Sequence, residues 1–308
     1  MATTASPVNG MAVHRPTAGI LWMLGSGFAF VGVNAIVKCL GQSLPSTEAA
    51  FLRYALGLVF LIPMLGPILR NRYTPRGVGL FAVRGLVHAL GVMLWFYAMA
   101  RIPMAEVTAM NYLSPVYVTI GAALFLGETL ALRRLIAVFA ALFGVVVILR
   151  PGVQEISHGQ MAMLAVAVFF AASYLIAKRL SDEASPAVIV AMLSIGVTIA
   201  LAPFAAAVWV TPTLHEVFWL FLTAGFATAG HLMMTHAFKL APVTVTQPVT
   251  FLQLVWATAT GALFFAEPVD GWVILGGGII ITAVSFITWR EAVIKRRRVT
   301  PVVNEMKG

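Results

Sequence analysis

Long apolar runs separated by brief polar stretches fill the chain. Runs of about 20 residues, the length that crosses the hydrocarbon core of a bilayer, fall at 17–37, 47–69, 79–100, 103–126 and 131–149. A second set follows at 159–177, 186–208, 217–238, 242–265 and 270–289. Stretches such as 41–46, 71–77, 150–152 and 181–186 punctuate them and are too short to be separate domains. The pattern predicts an all-α integral membrane protein with ten transmembrane helices.

The two sets are copies of one unit. The stretch from Arg84 to Glu128 recurs without a gap, 139 residues later, from Thr223 to Glu267. Gly91 matches Gly230, Pro103 matches Pro242, Thr119 matches Thr258, and Ala123-Leu124-Phe125 matches Ala262-Leu263-Phe264. The first spans align at an offset of 140, pairing Gly19 with Gly159, Phe30 with Phe170 and Lys38 with Lys178. A shared apolar composition would not hold a helix-breaking proline and a terminal carboxylate in register over this distance. Each copy has five spans, an odd number, so the second enters the membrane from the opposite side. Two inverted five-helix repeats are therefore predicted at 17–150 and 159–290, with an N-terminal tail at 1–16 and a basic tail at 291–308. Inverted repeats are the arrangement from which many secondary transporters build alternating access.

Composition strengthens the membrane assignment. Hydrophobic residues make up 60% of the chain and charged ones 10%, with a mean hydropathy of +0.95, against about a quarter charged in ordinary soluble domains. The first sixteen residues have no apolar core, so no cleavable leader is expected there and the first run is read as a retained span. With the N-terminus cytoplasmic, fifteen Lys and Arg fall on the inner side and three on the outer, which predicts both termini inside. The net charge of +9 is this same bias, so the expected partners are a small metabolite and the lipid bilayer, with no nucleic acid. A homodimer is left open. The single Cys39 offers no intramolecular disulfide, and no cofactor or metal is expected.

The segments Phe96-Tyr97-Ala98-Met99-Ala100-Arg101-Ile102-Pro103, Leu113-Ser114-Pro115, Phe125-Leu126-Gly127-Glu128 and Leu149-Arg150-Pro151-Gly152 resemble the EamA unit of the drug/metabolite transporter superfamily. His236 to Pro242 and Phe264-Phe265-Ala266-Glu267 resemble its second copy. The resemblance covers about residues 17 to 290. It implies ten helices in a bacterial inner membrane and a central cavity lined by the first, third and fourth helices of each half. Glu48-Ala49-Ala50-Phe51-Leu52-Arg53 with Arg84-Gly85-Leu86 most resembles the branch containing bacterial S-adenosylmethionine uptake carriers. The second copy departs from the first, since Arg84 aligns with Thr223.

Candidate chemistry lies inside the spans. A charge at a helix centre costs about 2.5–3.5 kcal/mol on insertion scales, so such residues face a cavity or a partner. Arg53, Arg84 and Glu106 are the three candidates. Arg84 is expected to meet an anionic group on the substrate, and Glu106 either to neutralise Arg53 or to exchange a proton. Bridging between helices or snorkelling to the interface is the competing reading for each. Lys38, nearer a span end, is expected to snorkel to the interface. Thr108, Tyr112, Pro115 and Thr119 share one helix face, with Asn111 beside it; Thr246, Thr250, Gln253 and Thr260 share another, with Gln247 beside it. A polar stripe in a membrane must face protein or a water-filled cavity. Trp95, Tyr117 and Trp256 offer flat apolar surface for a ring, or ordinary packing. Pro115 and Pro248 are placed to weaken their helices. His231 and His236 are five apart and do not share a ligand face, so they are read as core or headgroup residues.

The leading function is a secondary transporter of a small amphipathic organic metabolite, amino-acid-like, S-adenosylmethionine-like or vitamin- or drug-like. The runner-up is a membrane-embedded enzyme or a channel-like permeation protein. No triad, metal cluster or phosphate loop stands out, and an enzyme is not expected.

Overall fold

The computed structural model describes residues 16–126, 132–180, 182–241 and 243–299. Span one is α1 (Pro16–Leu40), and span two is α2 (Ser46–Gly57), a 3-10 segment (Leu58–Met64) and α3 (Leu65–Arg70). Span three is α4 (Pro75–Met99), and span four is α5 (Met104–Asn111) plus α6 (Ser114–Leu126). Then come α7 (Leu132–Leu149), α8 (His158–Leu180), α9 (Pro186–Ala207), α10 (Leu214–Leu240), α11 (Val243–Phe265) and α12 (Gly271–Val299). Among the described residues, eight helices are long and apolar enough to cross a membrane, and the apolar stretches Leu135–Leu149 and Val249–Phe265 supply the other two spans.

Local chemistry sets the helix ends. The Thr74 hydroxyl accepts from Gly77 N–H at 2.9 Å, and Pro75 follows at the first helical position, where its missing N–H costs nothing. Thr213 and Glu216 cap α10 reciprocally, as do Ser157 and Gln160 at the start of α8. After α1, Gly41 turns the chain with φ of 56°, a left-handed conformation natural to glycine at a helix end.

The packing obeys the inverted repeat. Span one packs on span eight while span six packs on span three; span one meets span nine while span six meets span four. The self-equivalent pairs, spans two and seven and spans five and ten, also meet. Small residues allow the closest approaches, as expected where lipid gives no hydrophobic drive between helices. A Cβ added at Gly276 of α12 would lie 2.4 Å from the Gly144 carbonyl of α7, and one at Gly85 of α4 only 2.9 Å from the Gly196 Cα of α9.

The expected single fourth helix is broken. Tyr112 and Leu113 donate to carbonyls three residues back, and α6 restarts at Ser114. Pro115 has no N–H to return to the Asn111 carbonyl, which accounts for the break. Pro248, by contrast, is carried within an unbroken α11. Its repeat equivalent is Ala109, while Pro115 aligns with Leu254, so only the first half's fourth span carries the break.

Candidate substrate site

Tyr112 marks the centre of the molecule. Its ring stands edge-on to Phe251 at 5.3 Å, and its hydroxyl donates to the Thr250 carbonyl at 3.3 Å. Phe251 is the repeat equivalent of Tyr112, 139 residues on. Two equivalent residues in contact must flank the pseudo-two-fold axis, and for inverted repeats that axis lies in the membrane plane. The span-four break therefore sits at midplane depth. Tyr112 is also eight residues into its span, about 12 Å along the helix, close to half of a ~30 Å hydrocarbon core.

Unsatisfied polar atoms collect at this break. Asn111 Oδ1 and Ser114 Oγ are buried without hydrogen-bond partners, a costly state unless another molecule supplies the bond. Gln253, the repeat equivalent of Ser114, is half-buried on α11. Trp256, the equivalent of Tyr117, packs on Phe28 of α1 with ring centroids 4.9 Å apart. The threonines are different. Thr108, Thr119 and Thr250 donate to their own helices four residues back, so the expected stripes are largely internally satisfied. The Trp95 ring contacts the neighbouring Phe96 rather than the Tyr112 group. The side chain of Gln247 lies outside those described.

A second polar group lies around α2, α4 and α8. Arg84 is 5% exposed and donates to the Ile189 carbonyl of α9 at 2.8 Å, while its Nε is buried without a partner. His88, one turn on, contacts the Ser173 hydroxyl at 3.2 Å and stacks on Phe170 at 4.8 Å. Arg53 lies over the Tyr54 ring at 4.1 Å, a cation–π contact. The Tyr54 ring stands edge-on to His88 at 6.5 Å, which brings Arg53 to the same group. Among the described residues no carboxylate pairs with Arg53 or Arg84. The group is a patch of cationic and neutral donors inside the membrane.

Two expectations are corrected. Glu106 does not meet Arg53; it accepts from the Gln160 side chain, whose amide oxygen accepts from the Ser157 N–H at the start of α8. Glu106 thus ties the first turns of α5 and α8, where a carboxylate also suits the helix dipole. Lys38 does not snorkel but pairs with Glu267 at 2.7 Å. His231 meets Phe30 of α1 edge-on at 5.0 Å, a ring contact between helices.

Sequence reasoning used Glu48 only as part of a family motif and missed its buried contact. It is fully buried, and one oxygen accepts from Val210 N–H at 2.9 Å while the other has no partner. Its place two residues into α2 resembled an ordinary helix start.

These features define a ten-helix carrier architecture with a broken span at its axis. The sequence profile of the family described as "EamA-like transporter family" matches residues 17–150 and again 157–289. The chain belongs to that family, and it is a multi-pass membrane protein of the transporter class. It is 30% identical over 289 residues to a riboflavin transporter of Vibrio cholerae, covering 92% of this chain and 97% of that one. It is 26% identical over 280 residues to an S-adenosylmethionine uptake transporter of Rickettsia bellii, covering 91% and 96%. It is 28% identical over 281 residues to the pseudopaline exporter of Pseudomonas aeruginosa, covering 89% and 96%. A crystal structure with 16% identity superposes with a TM-score of 0.56 over 92% of this chain and 99% of its own, which supports the fold.

Proposed function

We propose that this protein is a secondary carrier for a small amphipathic metabolite that combines a flat ring with an anionic group. The carrying observation is the pairing of an axial helix break, rich in unpartnered polar atoms, with a basic patch that has no carboxylate partner among the described residues. Asn111, Ser114 and Gln253 would bond the polar edge of the substrate, with Tyr112 and Trp256 beside its ring. Arg84, with Arg53 nearby, would receive the anionic group through charge-assisted hydrogen bonds. Named relatives that move riboflavin, S-adenosylmethionine and pseudopaline fit a ringed or amine- and carboxylate-bearing cargo, and they include both uptake and export. The bacterial relatives support a place in the bacterial inner membrane, and the positive-inside bias supports both termini being cytoplasmic.

Counterflow in proteoliposomes, run against a panel of labelled metabolites, tests this reading. Asn111→Ala, Tyr112→Ala and Gln253→Ala should each weaken substrate affinity by about tenfold, the loss expected when a bound polar group is left unpaired, while the protein stays monodisperse. Unchanged constants in all three would move the site away from the axis.

A further inference from the structure

The Lys38–Glu267 pair joins the two halves of the molecule at the membrane face opposite the termini. Lys38 ends α1 of the first half, and Glu267 follows α11 of the second. Their charged atoms are 2.7 Å apart, with side chains only 16% and 10% exposed. The clamp extends further. Lys38 Nζ donates to the Ile102 carbonyl at 2.7 Å, and Glu267 Oε2 accepts from Met104 N–H at 2.9 Å. Both backbone groups belong to the turn from α4 into α5, the same fourth span that breaks at Tyr112.

Backbone geometry is committed to this contact. Ala266 has φ of 51°, a left-handed conformation that is unusual without glycine and stores strain. It folds Glu267 back so that its N–H donates to the Gly261 carbonyl at 3.1 Å. The carboxylate then lies against Gly261, where a Cβ would come within 2.3 Å of Oε2.

We propose that Lys38 and Glu267 form the gate of this face: paired, they close the path from this face to the axial site, and their separation opens it. The gate acts within the carrier reading given above. An ion pair suits such a contact because its attraction is offset by desolvation, so a nearly dry pair is close to neutral against its hydrated, separated form. A seam of large apolar side chains would instead favour closure strongly. A gate needs two states of similar free energy, so that substrate binding can shift the balance. The same contact moves the start of span four, which links the opening of the face to the broken segment at the substrate site. The repeat sets Lys178 and Glu128 at the equivalent positions, though Glu128 lies outside the described residues.

Spin labels at Gln42 and Val269, exposed positions beside the two partners, read the gap without knowledge of the substrate. In full-length protein on a Cys39→Ser background, Lys38→Gln or Glu267→Gln should shift the short-to-long distance ratio toward long by about tenfold, because the closed form would then hold one uncompensated charge. The exchanged pair Lys38→Glu with Glu267→Lys should move the distribution part of the way back toward that of the parent, because the attraction returns while the bonds to the Ile102 carbonyl and the Met104 N–H do not. Parent-like distances in both single variants would overturn the gate, as would an exchanged pair that folds but remains in the long-distance form. Should the carrier reading fail instead, no variant and no parent would support counterflow, yet the distances would still respond to the pair.

Discussion

Replacing Arg84 with Gln should abolish most substrate affinity while leaving the fold intact. A hydrogen bond to a charged group is worth about 1.5–3 kcal/mol, or roughly tenfold to 150-fold in affinity. The structural cost should be smaller. Arg84 contributes one neutral-acceptor bond, to the Ile189 carbonyl, and a glutamine amide can donate to the same carbonyl. Arg84→Lys should fall between parent and Gln, since an ammonium keeps the charge but loses the planar fork. The check is binding of an anionic substrate and its uncharged ester to parent and variant. The ester should bind parent and Arg84→Gln with similar affinity. Loss of both ligands, or loss of monodisperse protein, would make Arg84 a strut between α4 and α9.

A second large effect is expected far from the site. Gly276→Val should cost at least about 3 kcal/mol, the upper range for overpacking, because the new Cβ would sit 2.4 Å from the Gly144 carbonyl and 2.6 Å from Ile148 Cγ1. Backbone cannot rotate aside as a side chain can, so α7 and α12 would have to separate. Gly278→Ala, two residues along the same helix, is the control. A Cβ there meets nothing within 4 Å, and the substitution should gain up to about 1 kcal/mol from helix propensity. Thermal unfolding in detergent should separate the two clearly.

The architecture was legible because its signals are long and periodic. Ten apolar runs and a gapless repeat of Arg84–Glu128 as Thr223–Glu267 survive uncertainty at individual boundaries. Pairings between spans were harder to read. Glu106 and Arg53 suggested a pair because both are charged, whereas the actual partner of Glu106, Gln160, is a neutral residue at the start of a helix, 54 residues later. Lys38 looked like an interfacial lysine because its partner Glu267 lies at the far end of the other repeat. The position of the break was legible in part: Pro115 marked it, but Pro248 carried the same local signal in a helix that stays continuous. Proline removes one hydrogen bond wherever it stands, and tertiary packing decides whether the helix opens there.

The central claim is that one axial site is reached alternately from the two faces. A single cysteine at Asn111 on the Cys39→Ser background, probed with a membrane-impermeant maleimide added from one side at a time, tests it most directly. The account expects modification from either face, slowed from both by bound substrate, with a cross-link between cysteines at 38 and 267 blocking only the face opposite the termini. Modification from one face alone, unaffected by the cross-link, would contradict it.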